Sequence, residues 1–328
     1  MRRRSQAAAA FATHPASRPR NAAQGVAPAV SAADTGRIVA AHGRHYTVEM
    51  SDGSTRRCYP RGKRTGAAVG DLVQILPQGA DEGVIEAILP RKNLLYRSDD
   101  MRTKQFAANV DRLFIVVAVE PTFSDDLVGR ALAGAWSADI EPIVVLNKIA
   151  LNGPGLTAAR QRLAPVARLG VPLLELSAQD TAQTIAVLTP YLRGHVSLLL
   201  GQSGMGKSTL LNLLVPLANA ATREHSAALD MGKHTTTSTR LYHVPTGGDL
   251  IDSPGFQAFG LQHLTHEEIV RGFPEFAAHT ARCRFYNCTH RHEPGCGVLG
   301  ALQDGLVEPA RHELYQRILE DSLAQSHY

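Results

Sequence analysis

The sequence predicts an α/β protein with an N-terminal OB-like β-barrel, a central parallel sheet wound with helices, and C-terminal helices around a cysteine cluster. Three observations carry this. Residues 34–98 break into short alternating runs separated by turn signals. From Asp111 onward, strand-like and helix-like runs alternate. Three of the four cysteines fall within the 14 residues from Cys283 to Cys296. At 328 residues, with 44% hydrophobic and 20% charged residues, the chain can bury two or three cores. The implied division is 1–33, 34–98, 99–260 and 261–328.

The first segment, Met1 to Ala33, holds Arg2, Arg3, Arg4, Arg18 and Arg20 and no acid. It therefore carries +5 and leaves −1 of the chain-wide +4 for the rest, so net charge says little about the folded part. Its Ala, Pro, Ser and Arg content, without an apolar period, reads as a disordered basic tail. It lacks the apolar core of a secretory signal but shares its composition with organellar transit peptides. A basic arm on RNA phosphates and an inert solvated tail both fit it.

The barrel segment shows strand runs at Arg37–Ala41, Tyr46–Met50, Leu72–Leu76 and Val84–Leu89. Asp52-Gly53, Gly70-Asp71 and Glu82-Gly83 mark turns between them. About five short strands in this length suit an OB-fold. Arg56, Arg57, Arg61, Lys63 and Arg64 lie in the acid-free stretch Ser54–Gly70, either a nucleic-acid face or a charged loop. Aromatic residues are sparse there (Tyr46, Tyr59), which gives base stacking little support.

Beyond it, Arg112–Val119, Pro142–Asn147, Val171–Leu176 and Val196–Leu200 read as strands, and 125–138, 156–169 and 181–192 as helices. This rhythm builds a parallel sheet, whose ligands bind at the carboxyl ends of its strands. The longest apolar run, Leu113–Val119, is far below the ~18 residues a membrane span needs. The few, unevenly spread cysteines point to a reducing, cytoplasmic setting.

Gly201, Gln202, Ser203, Gly204, Met205, Gly206, Lys207 and Ser208, followed by Thr209, match the phosphate-binding loop GxxxxGK[ST], between a strand and a helix-forming run. Backbone amides in such a loop face phosphate oxygens, aided by the helix N-terminus. Lys207 is expected to bridge phosphates and Ser208 to ligate Mg²⁺. Asp252, Ser253, Pro254 and Gly255 match DxxG after a short strand. Asp252 is placed to hold Mg²⁺ through water, and the Gly255 amide to meet the γ-phosphate. Between these motifs, Gly232 to Thr237 resembles a switch loop in which Thr235, Thr236 or Thr237 closes the Mg²⁺ shell.

Two base-reading elements come earlier in the chain. Asn147-Lys148-Ile149-Ala150 stands where GTPases carry NKxD, and Ser177-Ala178 follows the next strand. Both precede the phosphate motifs, the reverse of the common order, which defines a circularly permuted P-loop GTPase domain. Nearby termini make such a permutation tolerable. Taken together, the barrel, the permuted order, these motifs and the cysteine cluster resemble the ribosome small-subunit-dependent GTPase A (RsgA/YjeQ) family, from about Gly36 to the C-terminus. The resemblance implies GTP hydrolysis to GDP and phosphate, stimulated by the small ribosomal subunit, and a role in late maturation of that subunit. Its partners would be that subunit with its rRNA and GTP/GDP, with no membrane, and the chain is expected to act as a monomer.

One position departs from the family pattern: Ala150 replaces the Asp that accepts guanine N1–H and N2–H₂. Losing that charge-assisted contact removes about 2–4 kcal/mol, so weaker guanine selection is expected. Phe256 occupies the place of the Gln that orients water in small GTPases. His234, at a position where the family motif also has His, is the candidate to orient or activate water, with Lys207 stabilising transition-state charge. A solvent-exposed loop histidine is the plainer reading of His234.

Cys283, Cys288, His290 and Cys296 form a Cys₃His set suited to one tetrahedral structural Zn²⁺. Four filled positions leave no open site, and the short polar segment would draw folding energy from the metal. His292 is a rival fourth ligand, and Cys58 reads as an ordinary buried thiol. Arg282, Arg284 and Arg291 flank the cluster and fit either rRNA or solvent. Residues 306–323 read as a helix whose Leu314, Tyr315, Ile318 and Leu319 pack on the zinc segment. Two other functional classes stay open: a P-loop NTPase of relaxed base specificity, kept alive by Ala150, and an RNA-binding module with a degenerate nucleotide site.

Overall fold

In the computed structural model, residues 35–62, 66–99, 102–216, 218, 239–253 and 261–325 are described. The N-terminal tail, Lys63 and Arg64 lie outside them. Strands β1 (Thr35–Ala41), β2 (Tyr46–Met50), β3 (Thr55–Pro60), β4 (Leu72–Gln78) and β5 (Glu82–Ile88) form a barrel in the order β1-β2-β3-β5-β4, closed by pairing of β4 with β1. Alternation does the folding. In β1 every second residue is buried, and Ile38, Val48, Cys58, Val73, Ile75 and Ile85 fill the interior. Closure leaves no free edge within the barrel.

Strand β3 was hidden in the charged stretch read from the sequence. Arg56 and Arg57 lie on it, and Cys58 is its inward residue, fully buried. Burial pushes this thiol up to about 11. A two-stranded antiparallel pair follows, β6 (Leu94–Asp99) and β7 (Arg102–Ala108), so residues 98 and 99, where the sequence division falls, both lie within β6. The motif rhythm did not reveal this hairpin.

The central strands are β8 (Arg112–Ala118), β9 (Glu141–Asn147), β10 (Leu173–Glu175), β11 (Val196–Leu200), β12 (Arg240–His243) and β13 (Asp249–Asp252). They run in the order β10-β9-β8-β11-β13-β12, all parallel except β12. Residues Leu113 to Ala118 and Ile143 to Leu146 are buried throughout, as a sheet covered on both faces requires. Helices α1 (Asp125–Ser137), α2 (Pro154–Arg168), α3 (Thr181–Leu192) and α4 (Lys207–Leu214) alternate with these strands. Local chemistry sets their starts. The Ser124 hydroxyl caps α1 on the Leu127 amide with Asp125 and Asp126 in the first turn, Pro154 opens α2, and Asp180 caps α3.

C-terminal to the sheet lie α5 (His266–Arg271), α6 (Ala277–Thr280), α7 (Gly297–Gln303) and α8 (Pro309–Gln325). Thr265 and Glu268 form a reciprocal capping box on α5. In α8, Leu314, Tyr315, Ile318 and Leu319 are all buried, each worth about 1.5–3 kcal/mol by apolar burial. The edge of Tyr315 meets the rings of Phe273 and Phe276 at 5.3 and 5.1 Å. The same helix also reaches the nucleotide part: Arg317 pairs with Asp126 and Asp321 with Arg130, both at 2.9 Å. No helix among the described residues is long and apolar enough to cross a membrane.

Barrel and central sheet are one continuous sheet, because β12 pairs with β1 at Ala40 and Arg240. A charged cluster fastens the junction. Arg37 of β1 pairs with Asp249 of β13 at 2.6 Å, and the His243 ring bridges Asp249 at 2.6 Å and Glu49 of β2 at 2.9 Å. Partial burial works against a charged imidazole, but the bonds to Asp249 and Glu49 outweigh it and hold His243 above its ordinary value. A histidine raised on folding stabilises fully below its unfolded value, about 6.5, and the gain disappears as pH rises through the folded value. Urea unfolding should therefore show wild type gaining on His243→Gln as pH is lowered from 8 to 6, with the two converging at high pH.

Candidate functional site

The parallel register brings the sequence motifs to one edge. Leu199 of β11 is level with Phe114 of β8 and Asp252 of β13, and Ala118 is level with Asn147. The phosphate loop, the Asn147 loop, the Ser177 loop and Asp252 thus all leave the carboxyl ends of neighbouring strands.

Asn147 ties these loops together. Its side chain is 1% exposed; Nδ2 donates to the Met205 carbonyl at 2.9 Å, and Oδ1 accepts from the Lys148 amide at 2.7 Å and the Ala178 amide at 3.0 Å. Gly206 fits beneath it: φ is +95°, and any Cβ there would collide with Asn147 Nδ2. Lys148 swings outward and donates through Nζ to the Glu120 carbonyl at 2.8 Å. The Gln202 side chain accepts from the Ser124 amide at 2.8 Å, fixing the start of α1 against the phosphate loop. The glycines Gly201 and Gly204 both have positive φ in that loop.

Lys207 arches over the loop, donating to the carbonyls of Gly201 at 2.5 Å and Gln202 at 2.9 Å. Burial lowers its pKa, opposed by the nearby Asp252. Burial raises that of Asp252, opposed by Lys207 and the Ser253 amide. Each group offsets part of the other's desolvation. Ser203, Ser208 and Thr209 are exposed at the site, and Met205 is buried beneath it. His234, Thr235, Thr236, Thr237, Gly255 and Phe256 lie outside the described residues.

The C-terminal cluster assembles as the spacing indicated. The donor atoms of Cys283, Cys288, His290 and Cys296 all lie within 4.8 Å of one another. Cys283 and Cys296 Sγ are 3.9 Å apart, and His290 Nδ1 is 3.6 and 3.5 Å from them. Tetrahedral zinc, with Zn–S about 2.3 Å and Zn–N about 2.0 Å, needs S···S and S···N separations of roughly 3.8 and 3.5 Å. The chemistry of the set also fits. Burial lowers His290, favouring the neutral ring that ligates, and raises the thiols of Cys296 and of Cys288, the latter up to about 12, so those two need a cation to ionise. The Gly297 and Leu299 amides donate to the sulfurs of Cys283 and Cys296. His292 is exposed and outside the cluster.

Several contributors escaped the sequence reading. The Glu293 carboxylate accepts from the hydroxyl and amide of Thr289 and from the amides of Arg291 and His292. Against the cost of its burial, these bonds hold it down at about 2. His312 Nε2 donates to the His290 carbonyl at 2.8 Å, and the Tyr315 hydroxyl to the Thr289 carbonyl at 2.7 Å. The acid two residues beyond His290-Arg291 was the one available signal; the α8 partners had none. On the barrel, the rings of His42 and His45 stack at 4.8 Å, with Tyr59 at 6.0 Å from His45, an aromatic group that sequence distance concealed. Of the basic residues offered to RNA, Arg61 pairs with Glu86 and Arg291 with Glu320, whereas Arg282 and Arg284 are exposed.

An α/β P-loop protein with permuted base and phosphate elements, joined to a closed five-stranded barrel and a Cys₃His segment, is the class that this architecture defines. The RsgA GTPase family model matches residues 88–262. The chain is 72% identical over 294 residues to the "Small ribosomal subunit biogenesis GTPase RsgA" of Bordetella pertussis, covering 89% of this chain and 98% of that one. Among solved structures, YjeQ from Thermotoga maritima is 30% identical with a TM-score of 0.67, covering 88% and 98% of the two chains. YloQ, described as a circularly permuted GTPase, is 26% identical with a TM-score of 0.65, covering 89% and 95%. This chain belongs to the RsgA GTPase family.

Because the donors fit a structural metal, the purified protein should contain zinc and Cys296→Ser should lose it, measured by elemental analysis. Limited proteolysis should then cut within 283–303, while fluorescent-nucleotide binding at the distant loop survives.

Proposed function

We propose that this protein is a GTPase that binds the small ribosomal subunit and assists its late maturation, hydrolysing GTP to GDP and phosphate when the subunit stimulates it. The observation that carries this reading is the Asn147 network, which joins both base loops to the phosphate loop at one sheet edge. Relatives aligned over nearly the whole chain are named for small-subunit biogenesis, which supports the ribosomal part.

In this reading the phosphate-loop amides and Lys207 bind the β- and γ-phosphates. Lys207 leaves its loop carbonyls and stabilises charge on the transferred group. Asn147, Lys148 and the Ala178 amide hold the base, with Ser177 setting the turn. Ser208 and Asp252, with Thr235 or Thr236, would hold Mg²⁺, which supplies neutralisation of phosphate charge. His234 orients the attacking water when the subunit is bound. The Gly255 amide meets the γ-phosphate.

The chain is proposed to divide into a basic tail (1–33), a barrel (34–98), the hydrolase (99–260) and a zinc-binding domain (261–328), acting as a cytoplasmic monomer. Zinc at the Cys₃His set is structural. The His42–His45–Tyr59 rings beside Arg57, and the exposed Arg282, Arg284 and Tyr286 near the zinc ligands, offer stacking and phosphate contacts to rRNA.

Phosphate release measured with and without purified small subunits tests the reading. Wild type should be slow alone and faster by at least ~10-fold with subunits, and Lys207→Ala should lose both rates. Equal rates with and without subunits would contradict it.

A further inference from the structure

Guanine presents two adjacent donors, N1–H and N2–H₂, and a site that buries them unmatched loses affinity and selectivity. Ala150 offers only a methyl group where the family pattern has a carboxylate. The structure shows what surrounds that methyl. Ala150 lines a hollow with Asn152, Ser177, Gln179, Asp180 and Gln183, between the two base-reading loops. Among the described residues, Asp180 is the one charged side chain lining this hollow.

We infer that Asp180 is a specificity-determining residue, supplying from the Ser177 loop the carboxylate that position 150 lacks. This rests on the nucleotide site proposed above. Asp180 is held in place from several sides. It caps α3, with Oδ1 accepting from the Gln183 amide at 3.0 Å. Its own amide donates to the Ser177 carbonyl at 2.8 Å, and its carbonyl accepts from the Thr184 amide at 3.0 Å. The fully buried Thr184 hydroxyl donates to the same Ser177 carbonyl at 3.0 Å. The turn carrying Asp180 is thus the turn carrying Ser177 and Ala178, and Ala178 is bonded to Asn147. Oδ2 of Asp180 has no described hydrogen-bond partner and remains an acceptor.

The chemistry separates a carboxylate from its neutral neighbours. Asn152, Gln179 and Gln183 each carry an amide that both donates and accepts, so they tolerate guanine and xanthine alike. A carboxylate accepts from guanine N1–H and N2–H₂ and repels the C2 carbonyl of xanthine. Adenine, with an acceptor at N1, also fails to match it. The relaxed guanine selection that Ala150 alone suggests is therefore replaced by selection from the opposite loop.

The test is equilibrium binding of GDP, XDP and ADP to the full-length wild type, Asp180→Asn, Ala150→Asp and the double variant. Asn caps a helix as well as Asp does, so Asp180→Asn should keep the fold, checked by its melting curve. Wild type should prefer GDP to XDP, and Asp180→Asn should shift that ratio toward XDP by roughly 10- to 100-fold. Adding Ala150→Asp to Asp180→Asn should restore the GDP preference. A GDP:XDP ratio unchanged by Asp180→Asn, or a wild type that does not discriminate, overturns the inference while leaving a nucleotide site in place. Failure of wild type to bind any of the three removes the nucleotide site itself, and the inference with it.

Discussion

The site depends on one buried amide. Asn147 satisfies the Met205 carbonyl and the amides of Lys148 and Ala178 at once, and sits close enough to Gly206 to exclude a side chain there. Each such group left unpaired in a dry site costs about 1–3 kcal/mol, so the three loops are held in a single mutual arrangement. Permutation does not disturb this. What fixes the loops is the parallel register of β9, β8, β11 and β13, which is indifferent to the order in which the chain visits the strands.

The same sheet links the site to the barrel. Asp252 ends β13, β13 pairs with β12, and β12 pairs with β1. The Arg37–Asp249–His243–Glu49 cluster adds charge-assisted bonds across the seam. Barrel and nucleotide edge thus share one hydrogen-bonded sheet. On the other side, α8 joins the zinc segment through Tyr315 and the nucleotide part through Arg317 and Asp321. Both flanking parts are therefore mechanically attached to the nucleotide edge.

What could be read from the sequence was local. The phosphate loop, Asp252 at its strand end, the Asn147 and Ser177 loops and the Cys₃His set each rely on residues close in the chain, and α8 declared itself through its apolar period. What could not be read was remote or masked. Strand β3 shows its inward face only at Cys58 among outward arginines. The 94–108 hairpin has no clean alternation. His243 meets Glu49 across 194 positions and Arg37 meets Asp249 across 212, distances no motif spans. Glu293 and Asp180 look like ordinary surface acids until the turns they close are seen.

Hydrogen–deuterium exchange with and without GDP tests the central claim most directly. A single site locked by Asn147 predicts that GDP protects 201–209, 147–150 and 177–183 together, over the same nucleotide concentrations. Protection of 201–209 alone, with the other two loops unchanged, would contradict it.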